Sequence, residues 1–217
     1  MQRRCPLLEP SGSRAALSAV RRESLITMQD LPHSKPELRQ LMRAKRRALS
    51  AEQQRNAALA IAGNLSGLNA WSLAQRVALY LAADGEADPS PIADALRASG
   101  KTPFLPVIQE DKSLRFAPWH ADAALSENRY GIPEPQSGQQ LASEMDIVLM
   151  PLVAWSPRGD RLGMGGGFYD RSLAGAEVLK VGLAYEVQRT AHLDSENWDI
   201  RMDYVATELA LYNCLEQ

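Results

Sequence analysis

The sequence predicts an α/β fold in which a mostly parallel, Rossmann-like sheet lies between two layers of helices in a single domain. Two short, continuously apolar runs, 77–81 and 147–150, are typical of strands that are buried on both faces. Segments with helical spacing alternate with such runs, which favours right-handed crossovers and a parallel sheet. The length of 217 residues is ordinary for one domain with a substantial core.

Two helices are predicted at the start of the folded region. Ser34, Pro36 and Glu37 form the capping pattern of a first helix, and Ser50 with Gln53 repeats that pattern for a second. In the first helix the apolar residues at helical spacing are Leu38, Leu41, Met42 and Leu49, and the arginines around the other faces are Arg39, Arg43, Arg46 and Arg47.

Shorter elements are predicted along the rest of the chain. The strand expected at 102–107 contains Pro103 and Pro106, which indicate that it is short or near an edge. The other expected elements are a helix from Ser90 to Ala98, an edge strand at 114–117, a long ordered loop at 121–143, a helix from Phe168, a strand at 178–183 and a strand or hairpin at 203–211.

The composition argues against several classes of function. The 24 basic and 26 acidic residues give a formal net charge of −2, so no global positive potential attracts a nucleic acid. No apolar run approaches the length that spans a bilayer. Cys5 and Cys214 belong to no zinc or disulfide motif, which fits a reducing compartment. We therefore expect a cytoplasmic monomer with no nucleic-acid or membrane partner.

The first segment of the chain, residues 1–33, differs from the rest. It mixes arginines with small, polar and acidic residues and has no central apolar block, so it does not match a secretory signal. We expect a disordered extension, with an organellar presequence or a true start at Met28 as alternatives. The folded α/β domain is assigned to residues 34–217.

The strongest functional signal is the stretch from Arg161 to Asp170. Four of the five positions 163–167 are glycine, and such a backbone can turn successive N–H groups toward an anion. Arg161 and Arg171 can neutralise phosphate charge, and Asp170 can offer a hard oxygen to Mg²⁺. The pattern favours a phosphate site about as strongly as it favours a flexible glycine turn.

Two familiar phosphate-binding motifs do not fit this stretch. A dinucleotide-binding fingerprint needs a small residue where Phe168 stands. A P-loop needs Lys followed by Ser or Thr after the last glycine, and neither follows here. A phosphate site in this loop therefore belongs to a different class.

The whole string from Met150 to Arg171 resembles the signature of 5-formyltetrahydrofolate cyclo-ligases, which are also called 5,10-methenyltetrahydrofolate synthetases. Trp155-Ser156 departs from the family's common Phe-Asp pair, so no role is assigned to Ser156. Four further segments are similar to family motifs and occur in the family's order, namely 35–39, 84–86, 128–135 and 199–207.

The resemblance implies an ATP- and Mg²⁺-dependent conversion of 5-formyltetrahydrofolate to 5,10-methenyltetrahydrofolate. Phosphorylation turns the formyl oxygen into a good leaving group, and N10 of the folate then closes the ring. Lys35 and Arg39, one helical turn apart, would reach the triphosphate, and Arg161 would neutralise the transferring phosphoryl group. The implied catalytic residues are Arg161 and Lys35, and the implied ATP-binding residues are Lys35, Arg39, Arg161, Leu162, Gly163, Met164, Gly165, Gly166, Gly167, Phe168 and Tyr169.

The resemblance also implies a folate site and a metal site. Glu86 would accept hydrogen bonds from the pterin, and Tyr130 would stack on the folate. The implied substrate-binding residues are Glu86, Tyr130, Tyr80 and Met164. Asp170 and Asp199 are the expected ligands of Mg²⁺, and Asp203 is a close rival to Asp199.

Two alternative functions stay open at this point. A sugar-phosphate isomerase or CoA-transferase-like enzyme has a broadly similar sheet and glycine loops, but needs no ATP. The arginine-rich helix over 35–47 is also compatible with a module that binds RNA or an acidic protein partner.

Overall fold

A seven-stranded sheet forms the centre of residues 34–215, the part of the chain that the computed structural model describes. The predicted extension, residues 1–33, lies outside the described residues. The strand order is β11-β10-β9-β6-β1-β2-β3. The strands in chain order are β1 (Val77–Ala78), β2 (Pro103–Ile108), β3 (Leu114–Pro118), β4 (Leu125–Glu127), β5 (Pro133–Pro135), β6 (Ile147–Pro151), β7 (Ala154–Trp155), β8 (Arg161–Leu162), β9 (Leu179–Leu183), β10 (Tyr204–Ala206) and β11 (Leu211–Asn213).

The pairing confirms the predicted fold class. The five strands from β10 to β2 are mutually parallel, and antiparallel β3 and β11 close the two edges. Successive residues of β6 pack into different clusters: Ile147 and Leu149 face one core cluster, whereas Val148 and Met150 face another. A strand buried on both faces reads as a continuous apolar run, and this is why the sequence identified β6 so clearly.

Capping residues set the ends of the principal helices. Ser34 accepts a hydrogen bond from the backbone N–H of Glu37, and Ser50 and Gln53 form a reciprocal capping box, as predicted. The helices in chain order are α1 (Lys35–Arg47), α2 (Ala51–Leu65), α3 (Ser90–Ala98) and α4 (Phe168–Leu173). Side chains of α2 and α3 join the core cluster on one face of the sheet, and α4 contributes to the opposite face.

Helix α1 is held by a separate small core. Leu38 and Met42, one turn apart, pack against Val153, Leu162 and Leu193. Val153 and Leu162 belong to the segment that follows β6 and includes the β7–β8 hairpin. This contact attaches the basic helix to the glycine-rich loop, which begins immediately after β8.

The order of the strands creates a crevice at the centre of the sheet. From β1 the chain continues to β2 on one side, whereas β6, on the other side of β1, leads on to β9. In sheets of this kind, ligands bind beyond the carboxyl ends of the strands where the connections diverge. The segments after β1 and β6, which contain Glu86 and the glycine loop, emerge at this crevice.

The first strand and the loop at 121–143 need correction, whereas β2 lies where it was predicted. The first strand pairs in the ladder only at Val77–Ala78, because the chain after residue 79 builds the loop to Glu86. Strand β2 lies next to the edge strand β3, which agrees with the predicted position near an edge, and Pro106 is tolerated because β1 pairs only with Pro103 and Phe104. The loop at 121–143 contains the β4–β5 hairpin. Its turn is held by the side chain of Asn128, which accepts two backbone N–H groups.

Candidate active site

A cavity of about 1190 Å³ opens at the crevice between β1 and β6. The polar part of the cavity lining comes chiefly from α1, the segment after β1, the glycine loop with α4, and the loop 196–200. Residues of β2, β3, the turn 131–133 and the segment 150–153 complete the wall. A ligand of drug-like size occupies a cleft of roughly 300–1,000 Å³. The volume is therefore large enough for more than one small molecule.

The glycine loop has a backbone that side chains would obstruct. Gly165 and Gly167 have φ values of +95° and +67°, in the left-handed region that favours glycine. A Cβ atom on Gly166 would lie 2.6 Å from the ring of Phe168. Arg39 supports the loop from α1, because its Nε donates to the carbonyl oxygen of Gly163 at 2.8 Å. Glycine is thus required here by conformation and by close approach.

Arg171 supports the loop from the opposite side. Its guanidinium group donates to the carbonyl oxygens of Gly166 and Lys112, at 2.6 and 3.0 Å. The sequence assigned this side chain to phosphate, but here it acts as a brace between the loop and the β2–β3 turn.

Arg161 and Asp170 form an ion pair at the base of the loop. Nη2 of Arg161 lies 2.5 Å from Oδ1 of Asp170, and the arginine side chain is only 9% exposed. The same Oδ1 atom accepts the backbone N–H of Ile200. Nε of Arg161 is buried and has no hydrogen-bond acceptor among residues 34–215. A buried donor without a partner is unfavourable, so an anion bound in the cavity would stabilise it.

Lys35 lies beside the acidic loop rather than free in the cavity. Its Nζ atom is 3.6 Å from both Oε1 of Glu196 and Oδ2 of Asp199. Asp199 lines the cavity, as does Asp170. Asp203 does not line it: its carboxylate binds the backbone N–H and the ammonium group of Lys180. The geometry therefore favours Asp199 over its rival.

The far end of the cavity carries Glu86 among tyrosines. Its carboxylate accepts the backbone N–H of Ala83, and burial raises the pKa of Glu86 above its ordinary value. Burial likewise raises the pKa of Tyr80 and Tyr169 well above the ordinary tyrosine value. Both phenols are therefore neutral hydrogen-bonding groups at neutral pH, and the hydroxyl of Tyr80 already donates to the carbonyl oxygen of Ala87.

Apolar side chains surround the mouth. Ile132, Met164 and Trp198 line the cavity and are all substantially exposed. Tyr130 does not line the cavity itself; its ring packs edge-to-face on Phe168, with the centroids 6.1 Å apart. Its predicted stacking on a ligand would therefore require it to rotate or to act through Phe168.

The sequence interpretation missed several residues of this cavity, among them Ile132, Trp198 and, most unexpectedly, Arg46. Arg46, which was assigned to a solvent-facing side of α1, has no exposed area and contacts both Asp84 and Glu86. The sequence did contain an indication that Arg46 is buried. Arg46 follows Leu38 and Met42 at a spacing of four residues, so it lies on the same buried side of the helix. The charge of an arginine led to the wrong assignment.

The donors for a metal ion are few but suitable. No three His, Cys, Asp or Glu side chains within residues 34–215 come together as a metal site. Asp170 and Asp199 each retain one carboxylate oxygen that receives no hydrogen bond from the described residues. Mg²⁺ commonly takes only one or two protein carboxylates together with phosphate oxygens and water. The residues therefore fit a Mg²⁺ ion that arrives with a nucleotide.

These features together define an α/β protein with a large cleft at the centre of a mostly parallel sheet, lined by a glycine loop and a buried arginine. The described residues include no helix that is long and apolar enough to cross a membrane. Comparison with known proteins identifies the family within this class.

Residues 32–208 match the model of the 5-formyltetrahydrofolate cyclo-ligase family. The chain is 37% identical to the 5-formyltetrahydrofolate cyclo-ligase of Escherichia coli K12, over 77% of this chain and 96% of that protein. It is 35% identical to the Haemophilus influenzae protein of the same name, over 76% and 92% of the two chains. The NMR structure of 5,10-methenyltetrahydrofolate synthetase from Aquifex aeolicus is 33% identical, with a TM-score of 0.75, and the similarity covers 84% of this chain and 94% of that one.

The chain therefore belongs to the 5-formyltetrahydrofolate cyclo-ligase family. This membership confirms the family and the enzyme class that the sequence predicted, and decides against the isomerase and binding-module alternatives. The arginines on which RNA binding depended are, moreover, engaged within the protein. Arg43, Arg46 and Arg47 all pair with Asp84.

Proposed function

We propose that this protein uses ATP and Mg²⁺ to convert 5-formyltetrahydrofolate to 5,10-methenyltetrahydrofolate, and that it does so as a cytoplasmic monomer. The observation that carries the proposal is the composition of the cavity at the crevice between β1 and β6. One part of its wall is a glycine loop beside Arg161, whose buried Nε has no acceptor among the described residues, and another part is the carboxylate of Glu86. An anion cradle and an acceptor for N–H groups are what a triphosphate and a pterin require.

The chemistry explains why two substrates must meet in one cavity. The formyl oxygen attacks the γ-phosphorus, and the bond from that phosphorus to the bridging oxygen of ADP breaks. The formyl oxygen now belongs to a phosphate ester, so N10 can attack the carbon and expel inorganic phosphate. The N10 proton is released, and a five-membered ring with a delocalised cation remains.

The protein's contribution to this reaction is positioning and charge neutralisation. In our proposal the N–H groups of the loop 163–167 face the phosphates, and Arg161 donates through Nε to the phosphoryl group in transfer. Such electrostatic stabilisation is typically the largest protein contribution to phosphoryl transfer. Asp170 holds Arg161 in place through its ion pair, and this fixes the direction of the free Nε–H.

Lys35 and the two acids beside it would exchange partners when the nucleotide binds. Lys35 is shared between Glu196 and Asp199 at 3.6 Å, which is longer than a direct hydrogen bond. A bound triphosphate would attract the lysine ammonium group, and Asp199, with Asp170, would then be available to hold Mg²⁺. When bound, that ion would neutralise phosphate charge and orient the γ-phosphoryl group.

The folate would occupy the part of the cavity near Glu86. A carboxylate accepts a pair of adjacent N–H groups, such as the edge of a pterin, with two parallel hydrogen bonds. Tyr80 and Tyr169 line this part of the wall and supply apolar surface. Met164 and Trp198 lie at the mouth, where ring systems of either substrate can pack.

The test is spectroscopic. Purified protein, Mg²⁺–ATP and 5-formyltetrahydrofolate are mixed, and the near-ultraviolet absorbance of the methenyl product is followed. We expect product only when both ATP and the folate are present, with one ADP formed for each methenyl group. Folate turnover that does not require ATP, or ATP hydrolysis that does not respond to the folate, would refute the proposal.

Arg161→Met provides the matched test of the site. Removal of a charge that stabilises a transferring phosphoryl group lowers kcat by roughly 10³-fold or more. Arg158, on the exposed part of the same connection, is the control, and Arg158→Met should keep kcat within about twofold. Equal kcat values for the two variants would remove Arg161 from the mechanism.

A further inference from the structure

The buried arginine of α1 is the least expected group near the cavity. The side chain of Arg46 has no exposed area, although arginine is rarely buried without a specific partner. Its Nε donates to the carbonyl oxygen of Asp84 at 2.9 Å, and its Nη2 lies 2.8 Å from Oδ2 of the same residue. The same Nη2 is 3.6 Å from Oε1 of Glu86. Arg46 thus spans the loop that carries Glu86.

That loop has an unusual backbone that needs support. Asp84 has a φ of +54°, which is uncommon for a residue other than glycine, and Gly85 follows at +73°. Strained positions of this kind persist where the surrounding contacts determine them. Arg43 and Arg47 also pair with the Asp84 carboxylate, but they do so from more exposed positions on α1.

Glu86 depends on Arg46 for its charge as well as for its direction. Arg46 is the one cationic side chain within 4 Å of the Glu86 carboxylate in the described part of the chain. Burial raises the pKa of Glu86, whereas the hydrogen bond from the backbone N–H of Ala83, then the charge of Arg46 and, more weakly, that of Arg43 lower it. The other groups that face this region are the carboxylate of Asp84, which pairs with Arg46, and the phenols of Tyr80, Tyr169 and Tyr185, which are neutral at ordinary pH.

We propose that Arg46 is a positioning residue that fixes the direction and the ionised state of Glu86, and thereby sets the affinity for the pterin of the folate. The proposal rests on the proposed function, in which Glu86 accepts the pterin N–H groups. The side chain of Arg46 lies in the wall of the cavity and has no solvent-exposed area, so in our proposal it acts through Glu86 and through the backbone and carboxylate of Asp84. The nucleotide side of the cavity is unaffected.

The experiment compares two Michaelis constants. For Arg46→Met we expect the KM for 5-formyltetrahydrofolate to rise about 10- to 100-fold, because a charge-assisted contact is lost, while the KM for ATP stays within about twofold. Arg46→Lys restores the charge but not the forked geometry, so an intermediate KM is expected. Arg47→Met, which removes a half-exposed partner of Asp84 without reaching Glu86, should change the folate KM by less than about threefold.

The pH dependence of folate affinity distinguishes the proposed role from a merely structural one, because a structural role would leave it unchanged. The acid limb of folate affinity reports protonation of Glu86, and this limb should shift to higher pH in Arg46→Met. In the double variant Arg46→Met, Glu86→Gln the loss should be no larger than that of Glu86→Gln alone. Additive losses, or equal rises in both KM values, would overturn the positioning role.

Two precautions keep the outcomes distinct. Circular dichroism and thermal melting establish that each variant is folded, and Arg46→Lys carries the test if Arg46→Met does not fold. Failure of the wild type to form the methenyl product contradicts the proposed function itself. A wild type that is active, with an unchanged folate KM in the folded Arg46 variant, contradicts only the proposal for Arg46.

Discussion

Replacement of Gly167 by alanine tests whether the shape of the glycine loop is required for nucleotide use. Gly167 has a φ of +67°, and an added Cβ would lie 2.7 Å from an Nη1 atom of Arg171. Ordinary contact begins at 3.4 Å, so the guanidinium group must move by about 0.7 Å, with its hydrogen bonds to Gly166 and Lys112. A misplacement near 1 Å at a reacting centre can reduce the rate by about 10²-fold. We expect kcat/KM for ATP to fall roughly 10- to 100-fold.

The matched control is Gly100→Ala. Gly100 has a φ of +75°, nothing lies within 4 Å of its added Cβ, and it is remote from the cavity. In both variants, alanine must adopt a left-handed backbone conformation, which destabilises the fold by about 1–2 kcal/mol. This lowers Tm by about 2–8 °C in a domain of this size. Steady-state kinetics and thermal melting on the same samples separate stability from function. Similar kcat/KM values in the two alanine variants would show that the loop geometry does not matter for ATP.

Three further predictions concern the metal, the folate and the core. Asp199→Asn should raise the Mg²⁺ concentration needed for half-maximal activity, whereas Asp203→Asn should lower Tm and leave the Mg²⁺ dependence unchanged; a magnesium titration that reverses this order would reinstate Asp203. Because burial raises the pKa of Glu86, folate affinity should weaken as pH falls through that raised value, and Glu86→Gln should flatten the profile; an unchanged profile would exclude Glu86. Gly182→Ala should destabilise the fold by about 1–3 kcal/mol in denaturant titrations, because its Cβ would lie 2.4 Å from Leu152, and wild-type stability would contradict the packing described here.

The sequence predicted those elements of the fold whose pattern of apolar residues matches their burial in the structure. Strand β6 is apolar at every position because both faces are covered, and the capped helices α1 and α2 begin at the expected serines. The two-residue length of β1 was not readable, since the apolar run continues past the point where the chain leaves the sheet. Hydrophobicity reports burial and does not report pairing.

Part of the candidate site could be predicted from the sequence, and part could not. The glycine loop was predicted as a site from the sequence. Ordering consecutive glycines costs conformational entropy, so such a run in a folded domain indicates a conformational or functional requirement. The network around Arg46 did not, because burial of a charged side chain depends on partners such as Asp84, which lies 38 positions away in the sequence. The sequence predicted that Arg171 could contact phosphate, but it could not predict that the same side chain braces the loop through hydrogen bonds to Gly166 and Lys112.

The most direct test of the central claim follows the formyl oxygen itself. 5-Formyltetrahydrofolate labelled with ¹⁸O in the formyl group is converted with Mg²⁺–ATP, and the inorganic phosphate is analysed by mass spectrometry or by the ³¹P isotope shift. If the cavity brings the formyl oxygen to the γ-phosphorus, each phosphate carries one ¹⁸O atom. Unlabelled phosphate, with the ¹⁸O released to water, would contradict the account, because it would mean that ATP is hydrolysed without reaching the folate.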